Sequence, residues 1–60
     1  MRVKIIKNDQ LQGGNVDISG FIGQVFDARP YYKKNIEVNF TKEFGGNYIV
    51  YEGEYEVVEE

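Results

Sequence analysis

The chain has 60 residues, no cysteine, no histidine and a net charge of −3. This makes it one small domain without a disulfide or a usual zinc site to hold it together. Its charge also argues against broad, non-specific attraction to nucleic-acid phosphates. A domain of this size buries only about 60% of the surface its unfolded chain exposes. Five tyrosines and four phenylalanines must therefore supply much of the core, each ring burying about 150–250 Å². Charge is uneven: Lys33, Lys34 and Lys42 face Glu37, Glu43, Glu52, Glu54, Glu56, Glu59 and Glu60 in the second half. The lack of cysteine favours the cytoplasm. There is no apolar leader and no membrane-length stretch, and the opening Met suggests a complete short gene product.

In chain order, Arg2–Lys7 reads as strand one, with Val3 and Ile5 on one face and Arg2, Lys4 and Ile6 on the other. Asn8 to Asn15 is a loop by composition, turning at Gly13-Gly14, with Leu11 folding back on the core. Asp17 to Gly23 is too short and glycine-punctuated for a helix and reads as an irregular or 3₁₀ turn anchored by Ile18 and by Phe21 or Ile22. Gln24–Arg29 is strand two, ended by Pro30, which cannot donate to a ladder. Tyr31-Tyr32-Lys33-Lys34 is a loop tip joining it to strand three, Asn35–Thr41, where Ile36, Val38 and Phe40 alternate inward. Phe44-Gly45-Gly46 makes a turn, Asn47–Tyr51 is strand four, Glu52-Gly53 a tight break, and Glu54–Val58 strand five.

So small a sheet needs its ends paired. Strand five laid antiparallel to strand one puts Arg2 and Lys4 on the outer face with Glu54 and Glu56, and Val3, Ile5, Tyr55 and Val57 inside. Opposite charges across strands contribute about 0.2–1 kcal/mol each. Charge and hydrophobic parity thus agree on a sheet closed on itself. The expected core is Val3, Ile5, Ile18, Phe21, Val25, Ile36, Val38, Phe40, Ile49, Tyr55 and Val57, with Val25 and Phe26 equally suited to their position.

Five short strands, an irregular insert before strand two and a last strand entered through a tight turn resemble the SH3-like small barrels, over nearly the whole chain. That resemblance implies an all-β fold: a small five-stranded antiparallel barrel, or a strongly bent sheet. There is no Ala-Leu-Tyr-Asp-Tyr run and no tryptophan, so proline-rich peptide binding does not carry over. The ending Tyr51-Glu52-Gly53-Glu54-Tyr55-Glu56-Val57 also resembles short Glu- and Tyr-rich proteins encoded by phages and prophages of Gram-positive bacteria.

Catalysis is poorly supplied. The usual base near neutral pH and the usual thiol nucleophile are both missing. Glu54 and Glu56 would share one solvated face, where nothing separates their pKa values. No enzyme activity, cofactor, catalytic residue or metal site is therefore expected. Asn8-Asp9-Gln10 and Asn15-Val16-Asp17 lack calcium-loop spacing and read as turn formers. Gly13-Gly14 and Gly20-x-x-Gly23 precede neither a Lys-Ser/Thr pair nor a helix, so they are not phosphate loops.

One stretch has functional shape: Arg29-Pro30-Tyr31-Tyr32-Lys33-Lys34 puts three cations and two tyrosines at a hairpin tip. Tyrosine and arginine anchor protein interfaces, while basic groups with stacking rings also suit single-stranded nucleic acid. The plain alternative is a soluble loop with one tyrosine packed beneath it. Tyr48 and Tyr51, on opposite faces of strand four, either extend a contact surface or cover the core. The expected function is a non-enzymatic module engaging a protein partner, with nucleic-acid binding through Arg29–Lys34 as the alternative. A homodimer through an unpaired strand edge is also expected.

Overall fold

A computed structural model describes residues 1–8 and 16–60. The expected Gly13-Gly14 turn and the inward Leu11 lie outside the described residues. The chain forms β1 (Arg2–Ile5), a 3₁₀ turn (Ser19–Phe21), β2 (Val25–Pro30), β3 (Ile36–Phe40), a single helical turn α1 (Thr41–Phe44), β4 (Gly46–Val50) and β5 (Tyr55–Glu59). These strands make one five-stranded antiparallel sheet in the order β4-β3-β2-β1-β5. The domain is all-β, and among the described residues no helix is long and apolar enough to cross a membrane.

The terminal strands lie side by side, with Val3 opposite Val57, Lys4 opposite Glu56 and Ile5 opposite Tyr55. The expected closure does not follow from that pairing. β4 and β5 are the two edges of an open sheet. Their four-residue connection, Tyr51 to Glu54, carries the chain from beside β3 to beside β1 and leaves no hydrogen-bonded seam between the two edges. Gly53, at φ +95°, permits this turn, because a Cβ would strain that backbone.

β2 serves two neighbours in succession. Its residues Val25–Asp27 pair with Lys4–Arg2, and its residues Ala28–Pro30 pair with Val38–Ile36. The sheet bends where one pairing gives way to the other. Inside the bend lie the buried Val3, Ile5, Ile18, Phe26, Ile36, Val38, Phe40 and Val50. Phe40 centres an aromatic cluster, its ring 4.8 Å from Phe26, 5.4 Å from Phe44 and 6.0 Å from Phe21.

Several expected core positions move. Phe26 is buried and Val25 exposed, because Phe26 lies opposite Val3 on the inner face. Val50 is buried while Ile49 is half-buried, since the register sets Ile49 opposite the outward Glu37. Phe21 and Tyr55 are half-buried against the core. Val57 has inward parity but stays 42% exposed, because β5 is an edge with no strand beyond it among the described residues.

Glu54 reverses its expectation outright. It is 2% exposed rather than on the outer face, because it ends the turn instead of starting the strand. Its Oε1 accepts the Tyr51 N–H at 3.0 Å, and its carbonyl accepts the Ile6 N–H at 2.9 Å.

Replacing Phe40→Ala should cost about 3–5 kcal/mol, a large share of the roughly 5–15 kcal/mol typical of a whole domain. Urea denaturation should then show the midpoint moved to a much lower urea concentration. A loss below about 1 kcal/mol would mean that the aromatic cluster does not hold the bend.

Candidate functional site

The β2–β3 hairpin presents the tyrosine loop. Pro30 opposite Ile36 is its last ladder pair. Above it the Tyr31 N–H donates to the Asn35 carbonyl at 3.1 Å, and the Asn35 N–H donates back to the Tyr32 carbonyl at 3.1 Å. Lys33, inside this turn, has φ +59° and is the one non-glycine residue with positive φ among the described residues. Such a conformation costs of order 1–3 kcal/mol for a residue with a Cβ and persists only where surrounding structure enforces it.

That enforcement comes from the other end of the chain. The Tyr55 hydroxyl donates to the Lys34 carbonyl at 2.6 Å. The Glu52 N–H donates to Asn35 Oδ1 at 3.0 Å, and Lys34 Nζ stands 3.8 Å from Glu52 Oε2. Thus β5 and the β4–β5 turn clamp the tip. Tyr31 and Tyr32 remain 61% and 67% exposed, and Lys33 Nζ lies 5.6 Å from the Tyr32 ring centroid.

The loop cations are not a free basic field. Arg29, opposite Glu37 in the ladder, donates from Nε to Glu37 Oε1 at 2.7 Å. Asn47 on β4 donates to the other Glu37 oxygen at 3.3 Å. The result is a polar row across β2, β3 and β4, bordered by two shallow grooves. One is lined by Asp27, Ala28, Arg29, Glu37, Asn39 and Asn47, the other by Arg29, Pro30, Tyr31, Tyr32 and Glu37. The Arg29 hydrogen bond holds the Glu37 carboxyl below its ordinary value, against an opposing push from desolvation, and Glu37 in turn raises the Arg29 guanidinium.

Of the other candidate tyrosines, Tyr48 sits on the inner face away from this tip, while Tyr51 follows Val50, the partner of Ile36 at the foot of the loop. Tyr48, on the inner face opposite Val38, packs its ring edge-on 5.9 Å from Phe44 and touches the core cluster. Tyr51 follows β4 half-buried, its N–H committed to Glu54. Neither forms an outward tyrosine row.

Sequence reasoning had singled out Arg29, Tyr31, Tyr32, Lys33 and Lys34, which the hairpin does bring together. It missed Glu37, Asn35, Glu52 and Tyr55, which position them. Hairpin symmetry about Tyr31–Asn35 could have placed Glu37 opposite Arg29; nothing local marks Glu52 or Tyr55. Among the described residues no group of three His, Cys, Asp or Glu side chains could hold a metal ion. Asp17 instead accepts the Ser19 N–H at 3.0 Å and the Asn8 side-chain amide at 3.1 Å, as a turn former does. Comparison with protein-family models, curated proteins and solved structures finds no match to this chain.

Glu37 has a folded pKa below its unfolded one. Its contribution to stability is thus fully present above the ordinary value of 4.5 and is lost as pH falls through the lowered folded value. Carbon-13 titration should place the Glu37 carboxyl midpoint below 4.5 in the native chain and move it upward in Arg29→Ala. An unmoved midpoint would show that Arg29 is not the cause. Tyr55→Phe removes one hydrogen bond and should cost about 0.5–1.5 kcal/mol. It should also speed amide exchange at Asn35 and Tyr31; unchanged exchange there would show that Tyr55 does not clamp the tip.

Proposed function

We propose that this chain is a non-enzymatic binding module of SH3-like architecture that engages a protein partner through the Tyr31–Asn35 loop. The architecture is supported by β5 lying beside β1 and by a β2 shared between two halves of a bent sheet. The observation that carries the function is the pair of large rings, Tyr31 and Tyr32, exposed on a tip that distant residues hold in a strained conformation. A rigid, amphipathic ring on a pre-organised loop loses little conformational entropy on binding and is a typical interface anchor.

A protein partner suits the tip better than nucleic acid does. Arg29 and Lys34 both face carboxylates, Glu37 and Glu52, which would repel phosphates as the cations attract them. Tyr48 is outside this reading, since it packs on the core, and Tyr51 is outside it because it is half-buried. A phage or prophage origin and a cytoplasmic setting accompany the proposal, resting on the Tyr- and Glu-rich ending and on the absence of cysteine.

Immobilised protein incubated with bacterial lysate should retain a stoichiometric protein partner. The double variant Tyr31→Ala/Tyr32→Ala should lose it by at least about tenfold, with stability changed by no more than about 0.5 kcal/mol. Retention of nothing, or equal retention by the double variant, would refute the proposal. A salt-sensitive shift of short single-stranded DNA or RNA, abolished by Lys33→Ala/Lys34→Ala, would assign the loop to nucleic acid instead.

A further inference from the structure

Beyond the tyrosine loop, the free side of β5 carries an uncompleted pattern of charge. On the outer face the ladder runs Asp27 on β2, Arg2 on β1 and Glu59 on β5 in one row, and Val25, Lys4 and Glu56 in the next. Arg2 Nε stands 3.5 Å from Asp27 Oδ1. Sign thus alternates across all three strands in the first row and from β1 to β5 in the second, and both rows stop on carboxylates at the edge.

Glu56 and Glu59 are three apart in sequence and would ordinarily face opposite sides of a strand. A register shift between Arg2 and Val3 inserts one extra residue on β5 and brings both carboxylates opposite the same face of β1. Bulges re-aim side chains in this way. Val57 and Val58 between them are exposed, and among the described residues β5 has no strand on its far side. An edge strand presents unpaired N–H and C=O groups that template another strand.

A second copy of the chain suits this edge poorly. Residues 54–60, Glu-Tyr-Glu-Val-Val-Glu-Glu, hold four carboxylates and no cation. Any self-pairing register of β5 therefore offers no opposite-charge pair, and like charges directly opposite are destabilising.

We infer that β5 is an acceptor edge for an extended, cationic segment of a partner protein, added antiparallel or parallel to Tyr55–Glu59. Lys or Arg at alternate positions of that segment completes the rows that end on Glu56 and Glu59. Backbone pairing supplies affinity and the alternate side chains supply selectivity, as in other strand-addition modes. The carboxylates that discourage a copy of the chain are the groups that select the cationic strand.

The test uses the full chain, nitrogen-15 labelled, and a synthetic nine-residue peptide alternating Lys with Val or Thr. At low ionic strength the peptide should shift the amides of Tyr55–Glu59 and slow their hydrogen exchange. Glu56→Lys/Glu59→Lys should weaken it by roughly tenfold, and the milder Glu56→Gln/Glu59→Gln, checked for an unchanged melt, by roughly threefold. A peptide with Glu in place of Lys, and a Lys peptide interrupted by central proline, should both fail to bind. The inference is overturned by an absence of binding at low salt, by equal binding of the acidic or proline-interrupted peptide, or by variants with unchanged affinity. It is equally overturned if sedimentation shows that a second copy already occupies β5, with Tyr55–Glu59 amides protected only as protein concentration rises.

Discussion

The contact between Phe26 and Phe40 is the constraint on which the rest of the structure rests. The β2–β3 register that joins Ala28 to Val38, continued by two residues, would set these phenylalanines opposite each other in a regular ladder. By Phe26, however, β2 has already passed to β1, where Phe26 lies opposite Val3. The backbones part and the two rings, 4.8 Å between centroids and steeply inclined at 64°, fill the wedge. An aromatic pair of this kind contributes about 0.5–1.5 kcal/mol beyond the area it buries. Without rings there, the two halves of the sheet would leave an opening that water or collapse would fill.

The irregular elements answer to the same cluster. A four-residue helix is far below the length at which helices are stable alone, and at the start of α1 the Asn39 side-chain oxygen accepts the Thr41 N–H at 3.0 Å. Phe44 at its end stacks edge-on against Phe40, Phe21 and Tyr48, and Gly45 at φ +86° closes it with an N–H bond to the Thr41 carbonyl. The 3₁₀ turn is held similarly through Phe21, and by its hydrogen bonds Phe21 N–H to Ile18 and Gln24 N–H to Phe21. Because the bend turns the outer face of one half away from the other, the molecule has two unlike outer surfaces. The β2–β3–β4 half carries the neutralised Arg29–Glu37–Asn47 row; the β2–β1–β5 half carries alternating ions that end in carboxylates.

Much of this was legible in the sequence, and the failures have physical reasons. Strands show period two wherever one face is polar, which is why β3 and the facing of Val3 and Ile5 could be read directly. The pairing of the chain ends followed from charge and parity together. Parity becomes silent where apolar residues are consecutive, as in Val25-Phe26 and Tyr48-Ile49-Val50, and only the partner strand's register decides them. Glu54 looked like a surface strand residue because it shares the parity of Glu56; its burial follows from a turn that directs its carboxylate to a backbone N–H. The bulge that aligns Glu59 with Glu56 is a property of two strands and leaves no mark on either. The loop residues could be found from Pro30 and the adjacent lysines, whereas their clamps, Glu52 and Tyr55, come from a distant part of the chain.

That distance explains the conformation of the tip. Tight hairpin turns ordinarily secure positive φ with glycine or asparagine, which hold the geometry locally. Here the position belongs to Lys33, whose side chain opposes it, and the local sequence Tyr-Tyr-Lys-Lys has no strong turn former. The geometry must then be imposed by tertiary contacts: the Tyr55 hydroxyl on the Lys34 carbonyl and the Glu52 N–H on the Asn35 side chain. Both contacts exist only once β5 has docked on β1 and the Tyr51–Glu54 turn has formed. The order of dependence therefore runs from the phenylalanine wedge to the bent sheet, from the sheet to the docked last strand, and from that strand to the exposed tyrosines. A rigid loop built this way need not be encoded where it lies, and its side chains are left available to face outward.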